Sequence, residues 1–531
     1  MCQCNHYARP GQIAPPCALR LCAIVIAVAA AGITSFPAFG KANLLKLRDD
    51  KSKVLSSIRE NLQEASANFL GQVTEPKPPP GPLGVVTLDI YPGVRQTGLM
   101  EVAVLQARMG DAGASRKSLA QAKDLKIVNG NRVIKPKADD PNTLGKLATS
   151  YAQVGDVEQA RATLATLAGA ESRDYYLREC AIILASTGKA KEALALAKQR
   201  SLNQPPFGES VLLRHLALYY ASAGDWKETR RTLDQIPEAD RKVKTLAGIL
   251  STYAGLPGPY SDDVPTKPGI ALIQHKAGDH AGARLSIELA LEIAAGIKDA
   301  KVQARERATI ACVQALIGDL VGARKTLEQI PPAAENRAFA EVALARAQAA
   351  SGQRKEALEK IAKLGTPLLR AYGLSEVIMG HGQAGDAKAA QDTATKALKI
   401  IEELPQEQRR EMLVRLSRAR AMAKDFSGAL ETASTMQSRG DMEAYVYIAE
   451  AQAQAGDMKG ALGTLNDHVR DKVLVHHFMQ ALARFRAEAG GEKEALSWAR
   501  ELTTPEERGF ALLGVVEGMM KKHKVGTDSS R

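Results

Sequence analysis

Thiols and imidazole that could hold a metal gather at the start of this 531-residue chain, where Cys2, Cys4, His6 and Cys17 lie close together. Four such groups can bind a tetrahedral zinc ion, but no second pair follows at a zinc-finger spacing. Elsewhere the chemistry is sparse. His476 and His477 are adjacent, so on a helix they point about 100° apart and cannot chelate one ion as an i, i+4 pair would. His275, His280 and His381 each stand alone and read as surface or packing residues. There is no Gly-x-Ser-x-Gly elbow, phosphate-binding loop, His-Glu-x-x-His or Cys-x-x-Cys motif. The expectation is therefore a protein that is not an enzyme, with no cofactor and no resident metal.

The positioning elements are written much more strongly. A Gly recurs along most of the chain, usually followed by Asp and with a small residue five positions on, as in Gly155-Asp156 with Ala160 or Gly318-Asp319 with Ala323. Further copies sit at Gly188, Gly224, Gly278, Gly352, Gly385, Gly456 and Gly490; Lys424-Asp425 fills one gap, and Gly110-Asp111 is a degenerate first copy. Most intervals lie between 32 and 45 residues, the range of stacked helical repeats. A Gly that ends one helix in the left-handed conformation and an Asp that caps the next make a hinge between antiparallel helices. Seven residues before most of these glycines lies another small residue, such as Ala148, Ala181 or Ala311. One small side chain on each helix lets the two backbones approach closely. Around them, Leu144, Leu147, Tyr151 and Leu164 recur at helical, not strand-like, spacing.

This pattern resembles the tetratricopeptide repeat (TPR), a helix-turn-helix unit of about 34 residues. Leu144, Leu147, Ala148, Tyr151, Gly155, Asp156 and Ala160 follow it position by position, and Leu213 to Trp226 nearly do. The resemblance covers roughly residues 97–520. It implies an all-α, right-handed α-solenoid of about ten to eleven antiparallel helix-pair repeats. Two departures stand out: the closing Pro of the unit is often missing or becomes Ile-Pro, and the interval from Gly224 to Gly278 is too long. A Pro/Gly stretch at 255–267 accounts for the latter as an insertion loop. The resemblance also implies that the first helix of each pair lines the concave face, with the residue six before the Gly in the groove. That series includes Ile182, Leu218, Leu272, Arg346, Met379, Arg418 and Arg484, apolar first and Arg-rich later. The Arg half suits capture of an acidic segment; a solvated charged face is the alternative.

Residues 1–40 read as a signal peptide. Arg20 precedes a 13-residue apolar run from Leu21 to Ile33, and Ala38-Phe39-Gly40 offers small residues for cleavage. The run is short of the ~20 residues that span a bilayer; an uncleaved anchor over 21–39 is the alternative and the only membrane contact expected. Cleavage would discard the Cys2, Cys4, His6, Cys17 set and leave Cys180 and Cys312, which lie too many repeats apart to form a disulfide. Residues 41–73 carry the period of an amphipathic helix, a candidate N-terminal cap. Residues 74–96 form a Pro-rich linker, in which 85–91 has the alternation of a short strand, and 521–531 a disordered basic tail.

Net charge is +12, and removal of residues 1–40 lowers it to +10. The basic residues are interspersed with 59 acids and aromatics are only 4% of the chain, which argues against a nucleic-acid partner. The reading is thus an exported, periplasmic or secreted, scaffold or adaptor for a protein or peptide partner. A membrane-tethered assembly factor and a subunit or sensor for a small acidic ligand are the alternatives.

Overall fold

The computed structural model describes residues 39–70, 92–125, 127–129, 132–134, 141–198, 209–249, 267–334, 336–436, 442–469, 472–502 and 504–523. The segment expected to be a signal peptide and the candidate strand at 85–91 lie outside them, apart from Phe39 and Gly40, which begin the first helix. The chain divides into two compact units, Met1–Ser57 and Ile58–Arg531. The described part of the first unit is helical; helix α1 (Phe39–Phe69) runs from it into the second. No described helix is long and apolar enough to cross a membrane.

The second unit is an array of antiparallel helix pairs. In chain order these are α2 (Pro92–Arg108) with α3 (Ala112–Lys123), α4 (Pro141–Gln153) with α5 (Val157–Ala165), α6 (Ala170–Ser186) with α7 (Ala190–Ala197), and α8 (Glu209–Ser222) with α9 (Trp226–Asp234). Next come α10 (Ala239–Leu246) and α11 (Ile270–Lys276) with α12 (His280–Ala295), α13 (Ala300–Leu316) with α14 (Leu320–Glu328), α15 (Arg337–Ala350) with α16 (Arg354–Ala362), and α17 (Pro367–Gln383) with α18 (Ala387–Glu402). The array finishes with α19 (Gln406–Met422) and α20 (Phe426–Ser434), α21 (Met442–Gln454) and α22 (Met458–His468), α23 (Lys472–Glu488) and α24 (Glu492–Glu501), and an unpaired α25 (Pro505–Lys522).

The hinge chemistry explains each pair. The repeat glycines all have positive φ, between 74° and 100°, and Lys424 at 65° is the one non-Gly residue among those described that shares it. At each hinge the amide of the residue after the Gly returns to the carbonyl five residues back in the first helix, as Asp156 N does to Tyr151 at 2.9 Å, which satisfies carbonyls the helix end would otherwise orphan. The following Asp accepts a hydrogen bond from the amide three residues later in eight hinges, for example 3.0 Å at Asp111 and 2.8 Å at Asp319. Each such cap contributes about 1 kcal/mol. The small residues on either side, such as Ala148, Ala160, Ala311 and Ala323, are buried.

A second tie recurs that the pattern of apolar residues does not reveal. The residue four before the hinge Gly bonds a hydroxyl twelve positions later: Gln274 to Ser286 at 2.6 Å, Gln314 to Thr326 at 2.7 Å and Gln452 to Thr464 at 2.8 Å. All three bonds are buried, where a satisfied polar pair specifies the register of two helices.

The fifth pair departs from the rest. Its first helix is broken into α10 and α11, and a two-residue ladder, β3 (Gly248–Ile249) antiparallel to β4 (Lys267–Pro268), closes the neck of the insertion. Without residues 249–268 the interval from Gly224 to Gly278 matches its neighbours. The insertion therefore interrupts a helix and does not lengthen a turn. Gly269 is required there, because any side chain on it would run into the backbone of Leu246 to Gly248. A short ladder, β1 (Ile127–Asn129) with β2 (Arg132–Ile134), follows α3.

Each first helix packs on the next from α2 onward, and the last helix, α25, packs on α2 as well as on α23. The two ends of the array thus meet. The end of α1 lies over this junction. Its Phe69 is fully buried, with the ring between Gly98 and Gly509, where any side chain would collide with it, and 5.1 Å from the Phe510 ring. Arg95 pairs with Glu506, Arg500 with Glu64 at 2.8 Å, and Arg508 with Asn68 at 3.1 Å.

Candidate partner-binding surface

Repeat geometry sets what the groove positions do. A residue six before one hinge meets the residue nine before the next, so neighbouring first helices exchange side chains. Arg346 of α15 reaches Glu376 of α17 at 3.0 Å, Arg418 of α19 lies 4.6 Å above the Tyr447 ring of α21, and Arg484 of α23 stands 3.9 Å from Glu517 of α25.

These contacts divide the seven expected groove residues. Leu272, Arg346 and Met379 are buried, at 7, 8 and 7% exposure. Ile182, Leu218, Arg418 and Arg484 are half-buried. Arg346 is thereby removed from an accessible Arg stripe: its guanidinium is already paired inside the protein. The expected stripe reduces to Arg418 and Arg484, both with intrachain partners. Apolar surface survives in the early repeats, where Tyr175 is 50% exposed two helical turns before Ile182 on the same helix.

Glu376 belongs to a larger buried cluster. Arg415 of α19 approaches its other oxygen at 3.9 Å and lies 4.8 Å above the ring of Tyr372. Tyr372 is completely buried and its hydroxyl has no hydrogen-bond partner; burial pushes its pKa well above the ordinary value. Three consecutive first helices are thus tied through one carboxylate. Breaking such a group is costly, because the remaining charges stay buried without compensation. The sequence carried a signal for it: Glu376 is the single acid in the otherwise mostly apolar helix Pro367–Gln383.

Among the described residues, cavities open along the array. One of about 360 Å³ lies where the ends meet, lined by Glu101, Arg108, Gln153, Gln480, Arg484 and Glu517. Burial raises the Glu517 carboxyl, with Arg484 and Arg108 opposing. Another, about 600 Å³, lies along the hinge edge between Arg116, Arg161 and Lys191, with Asp156 and Glu192 among them. In neither do a nucleophile and a base converge.

The histidines are placed as follows. His381 is buried, and burial lowers its pKa, with Arg354 adding to the effect and Asp386 opposing it. His476 stacks on Phe510. His275 and His280 do not stand alone as expected: their Nδ1 atoms are 3.1 Å apart across the hinge. Cys180 and Cys312 are free and buried, and burial pushes the Cys180 thiol up to about 12. Among the described residues no group of three or more His, Cys, Asp or Glu is arranged to hold a metal. The Cys2, Cys4, His6, Cys17 set lies outside those residues.

No family model matches the chain, and no curated protein matches it. Among solved structures it is similar to a Rap protein complexed with competence and sporulation factor, 16% identical over 65% of this chain and 100% of that one, with a TM-score of 0.25. It is also similar to the Cut9–Hcn1 hetero-tetramer of the APC/C, at 13% identity over 82% and 99% with a TM-score of 0.21, and to yeast Tom70, at 14% identity over 82% and 97% with a TM-score of 0.17.

Proposed function

We propose that this chain is an exported, non-enzymatic scaffold that binds a partner protein through the face of its first helices in the early repeats. The carrying observation is the apolar surface of Tyr175, Ile182 and Leu218, left partly exposed on two successive first helices, α6 and α8, while the Arg series further along is engaged within the chain. The occupant is a protein segment that carries apolar side chains, which bury against this surface with a driving force of about 25 cal/mol per Å².

Export follows from the apolar run and small-residue site at 21–40; N-terminal sequencing of the native protein should find Lys41 or a near neighbour first. Photo-crosslinkers placed at Ile182 and at Leu218 should trap one defined partner band, whereas one at Val321, 78% exposed on a second helix, should not. Equal capture at all three sites would sink the proposal.

A further inference from the structure

One hinge breaks the rule that every other hinge obeys. Three residues before the hinge Gly, nine of the other ten repeats carry Ala, from Ala107 to Ala487, and the tenth carries Gly382. At Gly382 a side chain would meet Ala423 at the end of the next first helix, and eight of the nine alanines are buried. In the fifth pair it is His275. Two residues after the hinge Gly, where no other repeat has His, stands His280. The two exceptions meet, Nδ1 to Nδ1 at 3.1 Å, with ring centroids 4.7 Å apart.

The separation suits shared ligation. Zinc–nitrogen bonds of about 2.0–2.1 Å place two ligands of a tetrahedral or square-planar ion roughly 2.8–3.4 Å apart. Gly278, at φ 84°, folds the chain so that α11 and α12 present both imidazoles across one turn. Asp279, between them, is committed to capping Gly282 N at 2.8 Å and holds the start of α12 in place. Both imidazoles are open to solvent at this hinge: His275 is partly exposed and His280 exposed.

We propose that His275 and His280 form a two-imidazole site for a divalent transition ion of the zinc, nickel or copper class, with its remaining positions open to water or to a side chain of a partner. Imidazole is a favoured ligand of these ions, and neutral Nδ1 supplies the lone pair. The ion replaces the proton that one ring would otherwise share with the other. It also clips α11, a helix of seven residues cut off by the insertion, to α12.

The test is calorimetric titration of the full-length chain with nickel chloride, repeated on His275→Ala and His280→Ala. His275→Ala installs the residue that nine other repeats carry, so the variant keeps the fold, which circular dichroism checks. The native chain should bind one equivalent more than either variant, and nickel should protect His275 and His280 from carbethoxylation in peptide-resolved mass spectrometry. Saturating nickel should raise the Tm of the native chain above that of both variants, because a ligand that binds only the folded state stabilises it. Unchanged stoichiometry in the variants, or loss in only one of them, would overturn a two-ligand site. A native chain that binds no nickel at this hinge would leave the pair as a hydrogen bond between rings, and would overturn it equally.

Discussion

The middle of the array and the junction of its ends are held together by different means. Between α15 and α19 the contacts follow the chain: each first helix meets the next one along, and Glu376 joins Arg346 and Arg415 from its two neighbours. At the junction the residues joined by polar contacts are more than 400 residues apart. There Phe69 sits between Gly98 and Gly509, and Glu64 meets Arg500 in an ion pair that is partly exposed. The middle is a product of repetition, with one neighbour specifying the next. The junction is built instead around an aromatic ring that fits two glycines, with ion pairs beside it. Closing a loop of that length costs entropy that rises only slowly with length, so a modest set of contacts suffices.

The contrast is sharpest at Phe69. Phe69→Ala should cost about 4 kcal/mol of local stability, the range for a fully buried aromatic. Hydrogen exchange should then quicken in α2 and α25 while the amides of α15 to α19 keep their protection. Uniform quickening along the whole array would mean that the two regions are one cooperative unit.

Glu376→Gln tests the middle. Two guanidiniums lose their charge partner in a buried site, and the cost should be about 3 kcal/mol. The loss should appear as a lower urea midpoint, with the junction amides affected only at global unfolding. A change below the error of the melt would show that the guanidiniums reach water in the folded state.

Lys424→Gly should act in the opposite direction. A left-handed residue with a side chain costs roughly 1–2 kcal/mol, part of which the greater chain entropy of Gly returns. The net expectation is a gain of about 1 kcal/mol, read from the midpoint of denaturant unfolding. It would bring this hinge into line with its ten glycine counterparts.

The smallest effect concerns a second buried glutamate. Glu306 is fully buried, and burial raises its pKa above the ordinary value even though Lys244 and Arg305 oppose it. An acid whose folded pKa is raised binds its proton more tightly in the folded state. Stability is therefore greater in acid and declines as pH rises from the ordinary glutamate value through the folded pKa. Glu306→Gln should remove this decline, leaving the variant more stable than native at neutral pH and equal to it in acid. A native chain without that slope would show that the ion pairs outweigh burial.

Much of the candidate surface was legible in part. The series six before each hinge, apolar first and Arg-rich later, placed these residues on successive first helices, but their accessibility depended on the residue nine before the next hinge. Arg346 meets an acid there and is consumed by it; Arg418 meets the Tyr447 ring and stays partly exposed. A reading of one helix at a time cannot see this, because the partner belongs to the next repeat. The histidines fail in the same way, since His275 and His280 face each other across a turn, not along one helix.

The sequence by itself determined the repeating unit: which residues turn the chain, which cap the helices and which let them pack closely. These are local matters, decided by left-handed backbone at Gly and by hydrogen bonds that span six residues or fewer. Tertiary structure alone decided that the ends meet, that an insertion cuts a helix in two, and that one carboxylate ties three helices. Those depend on where distant segments arrive after many repeats have each added a small rotation, and no spacing along the chain encodes that sum.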